Sequence, residues 1–271
     1  MCRFVAYLGQ AVTLARVISA PEHSLVVQSY QPVEMTSGVV NADGFGVGWY
    51  NRALDPTPCV YTNPSPIWSD RNLVGLSKHI ASDCIFANVR SATADVAVDQ
   101  SNCQPFASQQ LLFMHNGYID NFRFTLMRQI REALRDEYYT AIGGTTDSEH
   151  IFALLLNTLH GRPVTLSTLV KVVSKTIGQL SLWAARIGIH LALNIAVTNG
   201  ECMVISRFAT KDLAPSLYYL TKSSFFPNAA VVASEQLFPS PQWITVPVGS
   251  LVAFDKGLEP HLHSLPYKGF A

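Results

Sequence analysis

Charge is scarce in this 271-residue chain: Asp, Glu, Lys and Arg make up 14% of it, with 19 basic residues against 19 acidic. Such a balance excludes the basic footprint of a nucleic-acid binder and the patch that holds a protein to an anionic membrane. Cysteine is sparse as well. The five copies, Cys2, Cys59, Cys84, Cys103 and Cys202, include no C-x-x-C pair, and their odd number argues against a disulfide framework or a structural zinc site. His261 and His263 lack a nearby acidic or thiol partner and read as surface histidines, so neither a metal nor a cofactor is expected. Long hydrophobic runs are missing too. The most apolar window, Leu180 to Val197, carries Arg186 and His190. Ala11 to Ala20 is interrupted by Arg16, has no basic segment before it and does not read as an export signal. The expectation is a soluble cytoplasmic protein acting on small molecules, with a homo-oligomer left open.

What is present is apolar material: 48% of the residues are hydrophobic, ample for a real core. Cys2 to Leu8, Gly46 to Tyr50, Cys84 to Val89 and Leu111 to His115 read as strands, rich in β-branched and aromatic residues between turn formers. Helical spacing follows over Phe122 to Arg135, Ser148 to Leu159 and Leu166 to Arg186. Strands return at Leu191 to Val197, Cys202 to Phe208, Leu217 to Leu220, Ala230 to Ser234 and Leu251 to Phe254. Strands, helices and strands again predict an α+β fold of two stacked sheets with helices outside. No linker divides the chain, so residues 1 to 271 are read as a single domain.

Cys2 carries the most chemistry. Removal of Met1 places a thiol beside a free α-amine, a nucleophile together with its base. A free cysteine thiol titrates near ~8.5 and an α-amine near ~7.7 to 8.0, so the amine accepts the thiol proton close to neutral pH. By itself a second-position cysteine is equally a small core residue. Three further segments supply what such a nucleophile needs.

A substrate bearing an α-carboxylate, an α-ammonium and a side-chain amide requires a cation, an anion and an oxyanion hole. Arg90 ends an apolar strand, where its planar fork suits a carboxylate, and Thr93 adds a hydroxyl donor. Asp147 lies in Thr146-Asp147-Ser148-Glu149, a capping-box pattern that fixes a carboxylate in the first turn of a helix, with Glu149 expected to reach back to Thr146. His115-Asn116-Gly117 follows a strand. There the Asn116 amide and the Gly117 N–H would meet an oxyanion, the missing side chain of Gly117 would admit the substrate, and His115 is placed with the substrate-binding residues.

Together Cys2, Arg90 to Thr93, Asn116-Gly117 and Thr146 to Glu149 resemble, in order, the motifs of the class II glutamine amidotransferases. That resemblance implies the four-layer αββα sandwich of the N-terminal nucleophile hydrolases, with Cys2, Asn116 and Gly117 catalytic and Arg90, Thr93, His115 and Asp147 binding the glutamyl group. Asn41 to Tyr50, Pro66 to Asn72 and Ser101 to Phe106 look most like the stand-alone γ-glutamyl hydrolases of ergothioneine biosynthesis, which release glutamate from γ-glutamyl-hercynylcysteine S-oxide. Phe4, and Ala94-Asp95 after Thr93, depart from that pattern and bear on the leaving group. The resemblance also keeps open an amidotransferase subunit feeding ammonia to a partner synthase, or a hydrolase of another γ-glutamyl thiol conjugate such as a glutathione derivative. For a trimethylammonium leaving group, Trp49, Tyr50 and Trp68 are candidate walls of a cation–π cage, against their equally ordinary use as core aromatics. Gly44 to Gly48 runs into Trp49-Tyr50 and a proline-containing loop rather than a helix N-terminus, which excludes a phosphate loop.

Overall fold

In the computed structural model, residues 2–35, 38–92, 97–211 and 214–266 are described. The chain opens with β1 (Arg3–Thr13), α1 (Leu14–Ile18) and α2 (Leu25–Tyr30). It continues through β2 (Phe45–Asn51), β3 (Asp55–Asn63), α3 (Arg71–His79), β4 (Ala81–Val89), β5 (Phe106–Ser108) and β6 (Leu111–Ile119). A helical stretch follows: α4 (Met127–Glu132), α5 (Asp136–Thr140), α6 (Asp147–Leu159) and α7 (Leu166–Ile187). The chain then returns to strands β7 (Leu191–Thr198), β8 (Met203–Arg207), β9 (Tyr218–Thr221), β10 (Ala229–Ala233), β11 (Ile244–Thr245), β12 (Ser250–Phe254) and β13 (His261–Ser264).

These strands form two antiparallel sheets, one of seven strands in the order β11-β9-β10-β1-β4-β2-β3 and one of six in the order β13-β12-β8-β7-β6-β5. Strand alternation sends Val5 and Tyr7 of β1, with Ile85 and Ala87 of β4, toward α1 to α3, while Phe4, Ala6, Leu8 and Phe86 face the other sheet. On the second sheet Leu111 and Phe113 pack under α6 and α7, and Leu112 and Met114 point inward. Both faces of each sheet are therefore covered. This is the αββα sandwich expected, and double coverage explains why the central strands read as unbroken apolar runs.

Several local expectations are revised. Phe122 to Arg135 is not one helix. A 3₁₀ turn, Phe122–Phe124, precedes α4, which ends at Glu132 with Ala133 as its C-cap, so that Leu134 lies beyond it. The buried Leu126 and Ile130 supplied the helical spacing; Asn121, left-handed at φ 46°, turns the chain first. The segment after Tyr50 is β3 rather than a loop; its Pro56 and Pro58 are tolerated because β3 is an edge strand, where missing donors face outward. Helices α1 to α3 had too few turns to declare a period. Among the described residues no helix is long and apolar enough to cross a membrane.

Candidate active site

A cavity of about 510 Å³ opens at one end of the sandwich, lined among others by Cys2, Arg90, Gln104, His115, Gly117, Asp147 and Ser148. Residues separated by more than a hundred positions in sequence meet there because β1, β4, β6 and the start of α6 all end at this rim. Cys2, half-buried, precedes β1, and its carbonyl accepts from Arg3 Nη1 at 2.9 Å. Arg90 follows β4 directly. It is 4% exposed, and its guanidinium donates to the carbonyls of Asp43 (3.1 Å) and Ala97 (3.3 Å), which fixes the plane of the fork. Asp43 also accepts from the Ala92 N–H at 2.7 Å, holding the turn after Arg90. Thr93 lies outside the described residues.

On the opposite wall, Thr146 caps α6 by accepting from the Glu149 N–H at 3.3 Å. The reciprocal half of the capping box is not made. Glu149 instead accepts from the Gly143 and Gly144 N–H groups at 2.9 and 2.7 Å, tying down the preceding loop. Asp147 accepts from the Ile119 N–H with Oδ2 (3.0 Å) and from the Ser148 N–H with Oδ1 (2.7 Å), so the helix start is hydrogen-bonded to the end of β6.

The edge of β6 is closed by side chains where its partner strand stops. The Gln104 amide acts like a strand residue, accepting from the His115 N–H and donating to the His115 carbonyl. Two residues either way along the same edge, His115 and Ile119 give their N–H groups to Gln104 and Asp147. The Gly117 N–H, which alternation sends to the same side, is left between them facing the cavity. Gly46 makes room for this arrangement: a Cβ there would lie 2.4 Å from the Gln104 carbonyl oxygen.

Gly117 also extends an expectation. A Cβ at this position would sit 1.9 Å from the Ala192 carbonyl oxygen and 2.5 Å from His115 Nε2, so its lack of a side chain is required by β7 and the imidazole as well as being open to the cavity. His115 itself is 1% exposed, with Nε2 3.1 Å from the Ala192 carbonyl and Nδ1 3.0 Å from Ser148 Oγ. The carbonyl can only accept, so Nε2 carries the proton and Nδ1 accepts from Ser148. Burial pushes this imidazole's pKa down, against the pull of Asp147, and keeps it neutral. His115, expected among the substrate-binding residues, lines the cavity while both ring nitrogens are engaged by protein, so that it also ties β6 to β7 and α6.

Asn116 points the other way, into the layer between the sheets. It is fully buried, its Nδ2 lies 3.5 Å from Ser234 Oγ, and its Oδ1 has no partner among the described residues. Asn88 and Asn194 are fully buried too, with Asn88 Nδ2 and Oδ1 and Asn194 Oδ1 likewise unpartnered among the described residues. Sequence reasoning missed this polar layer, since lone asparagines on strands carry no pattern. It also gave no role to Glu235, which accepts from Arg3 Nε (2.6 Å), His23 Nε2 (2.8 Å) and the Val33 and Glu34 N–H groups (2.8 and 3.0 Å). Burial alone would raise the pKa of that carboxyl, but these donors bring it down to about 2.

The aromatic cage is not formed. Trp49 faces the α1 to α3 layer, and Tyr50 is buried between the sheets, its hydroxyl donating to the Gln110 carbonyl at 2.8 Å. Trp68, 43% exposed, stands edge-on to Tyr30 with ring centroids 5.8 Å apart. None of the three lines the cavity.

Two antiparallel sheets between helices, with Cys2 directly ahead of the strand that starts at the cleft, give the αββα fold of the N-terminal nucleophile hydrolases. The profile of the glutamine amidotransferases class-II family matches residues 22–227, and the chain belongs to that family, whose members act on γ-glutamyl amide bonds. It is 33% identical to the probable glutamine amidotransferase DUG3 of Saccharomyces cerevisiae, over 94% of this chain and 82% of that one. It is 30% identical to the gamma-glutamyl-hercynylcysteine sulfoxide hydrolase of Mycolicibacterium smegmatis, over 93% and 95%. A class-II glutamine aminotransferase domain protein from Silicibacter pomeroyi shares the fold, with a TM-score of 0.69 at 24% identity, over 97% of this chain and 99% of that one.

Proposed function

We propose that the protein hydrolyses a γ-glutamyl amide through a Cys2 thioester, with γ-glutamyl-hercynylcysteine S-oxide as substrate. The observation that carries the chemistry is the shared cavity: Cys2 lies with a held guanidinium, Arg90, a held carboxylate, Asp147, and an open N–H, Gly117. Arg90 binds the α-carboxylate and Asp147 the α-ammonium of the glutamyl end. With Met1 removed, the Cys2 amine takes the thiol proton and the thiolate attacks the γ-carbonyl carbon. The Gly117 N–H, with the Asn116 amide behind it, stabilises the oxyanion. As the C–N bond breaks, the ammonium returns its proton to the leaving nitrogen. Water then adds to the thioester, releasing glutamate and restoring the thiol. Similarity to the mycobacterial-type hydrolase along almost its whole length supports the substrate.

Similarity to a probable glutamine amidotransferase supports a second reading, glutamine hydrolysis for a partner synthase. Glutamate release from γ-glutamyl-hercynylcysteine S-oxide, glutamine and glutathione at equal concentrations separates the two. A preference for the sulfoxide by orders of magnitude is expected. Best turnover of glutamine, or turnover only after a partner is added, would replace the first reading with the second.

A further inference from the structure

Past the glutamyl-binding residues the cavity wall continues along the end of β6 through Tyr118, Asp120, Asn121, Phe122 and Arg123. The turn that carries these residues is fixed. Asn121 is left-handed (φ 46°, ψ 42°), Thr125 Oγ1 donates to the Asp120 and Asn121 carbonyls at 2.8 and 3.1 Å, and buried Phe122 packs edge-on to His150 with centroids 5.0 Å apart. Arg123 rides on that turn at the wall of the cavity.

Its neighbouring cations are engaged. Arg128 pairs with Glu132 at 2.6 Å, and Arg131 donates to His150 Nε2 at 2.9 Å while lying 5.7 Å from the Tyr139 ring. Asp120, the acid on the same wall, accepts from the His190 N–H at 3.0 Å. Arg123 makes no hydrogen bond or ion pair among the described residues. Arg123 is exposed at the cavity rim, where it also borders a surface pocket with Arg128, Arg131 and Glu132, and it can be reached by an anion bound in the cavity, on a chain that is otherwise short of charge. The space is also generous: about 510 Å³ falls in the range of pockets that enclose sizeable ligands, well beyond the needs of glutamine.

We propose that Arg123 binds a carboxylate on the leaving amine, so that the preferred substrates are γ-glutamyl derivatives of amino acids or peptides rather than glutamine, whose leaving group is ammonia. The proposal rests on the γ-glutamyl hydrolase reading above and adds the specificity of its far end. A carboxylate held there keeps the scissile amide between two anchors, Arg90 at one end of the substrate and Arg123 at the other.

The test compares γ-glutamylglycine with γ-glutamylmethylamide, which share the scissile bond and differ by one carboxylate. Wild type is expected to favour γ-glutamylglycine in kcat/KM by about 10- to 100-fold, the size of a charge-assisted hydrogen bond. In Arg123→Met that ratio should collapse toward one, chiefly through KM for γ-glutamylglycine, and Arg123→Lys should recover part of it. Equal turnover of the two substrates by wild type, or a ratio unmoved in Arg123→Met, would overturn the assignment of Arg123 while leaving the γ-glutamyl chemistry in place. Failure to hydrolyse either substrate would overturn the proposal together with the reading beneath it.

Discussion

The layer between the two sheets has two unlike ends. At one, Phe4, Ala6, Leu8, Phe86, Leu112, Met114, Ile205 and Val252 interdigitate in a core that is mainly apolar, its few hydroxyls, such as those of Ser82 and Thr198, hydrogen-bonded. At the other, one pleat further along the same strands, Asn88 follows Phe86, Asn116 follows Met114, Asn194 precedes Ala196 and Ser234 follows Val232, with Cys2 ahead of Phe4. Burial is as deep at the polar end, yet Asn88, Asn116 and Asn194 leave amide atoms without partners among the described residues. Unpartnered buried amides oppose folding. Their gathering at the end of the layer nearest Cys2 fits the proposed role of that end, where stability is given up to present polar groups to a reacting carbonyl.

Substitutions at the two ends should therefore separate turnover from stability. Cys2→Ala is expected to lower glutamate release by at least about a thousand-fold with little change in melting temperature, since the nucleophile goes and the packing stays. Retained activity would end the thioester scheme. At the apolar end, Phe86→Ala should lower stability by ~3–5 kcal/mol in denaturant melts, because a fully buried ring leaves a cavity. An effect below about 1 kcal/mol would mean that the layer is not packed as described. Asn116→Ala should lower kcat by about 100- to 1000-fold while costing less stability than Phe86→Ala, reflecting lost oxyanion stabilisation. The reverse ranking would make Asn116 a purely structural residue. Arg90→Ala should act chiefly on KM, raising it by about 10- to 100-fold, the size of a charge-assisted contact; a loss confined to kcat would place Arg90 outside the binding of the glutamyl carboxylate.

The smallest effect concerns acid. Burial, with Arg131 alongside, lowers the His150 pKa to about 4, below that of an unfolded histidine at 6.5. Between those values the unfolded chain binds the extra proton, so stability falls as pH drops from 6.5 toward 4. The depressed carboxyl of Glu235 acts in the same direction lower down, its contribution being lost between about 4.5 and about 2. His150→Gln should thus flatten the change in melting temperature between pH 7 and 5, and an unchanged slope would assign the acid sensitivity elsewhere.

Much of this was legible in the chain. Leu111 to Met114 declared a strand by composition, Thr146 declared a helix start by its side-chain chemistry, and both occur where expected. Cys2, Arg90 and Asp147 stand at the ends of elements, where local signals are strong. Asn116-Gly117, read as following a strand, lies instead within β6, and its Asn-Gly pair signalled a turn that the pairing with β7 overrides. Less legible were contacts that depend on two distant segments. Nothing near Gln104 announces that its amide extends a strand pairing, nor does Trp49 reveal which face of β2 it occupies until the sheet has a partner.

Local composition and alternation thus indicated most of the central strands and two stacked sheets with helices outside, because backbone preferences and hydrophobic periodicity act over a few residues. Tertiary structure alone decided that Gly117 leaves room for the Ala192 carbonyl, that both nitrogens of His115 are engaged by protein, that the polar asparagines share one buried layer, and that Arg123 stands at the rim of the cavity. Those outcomes depend on steric fit and hydrogen-bond satisfaction between segments far apart in sequence, and such terms exist only once the sheets have been brought together.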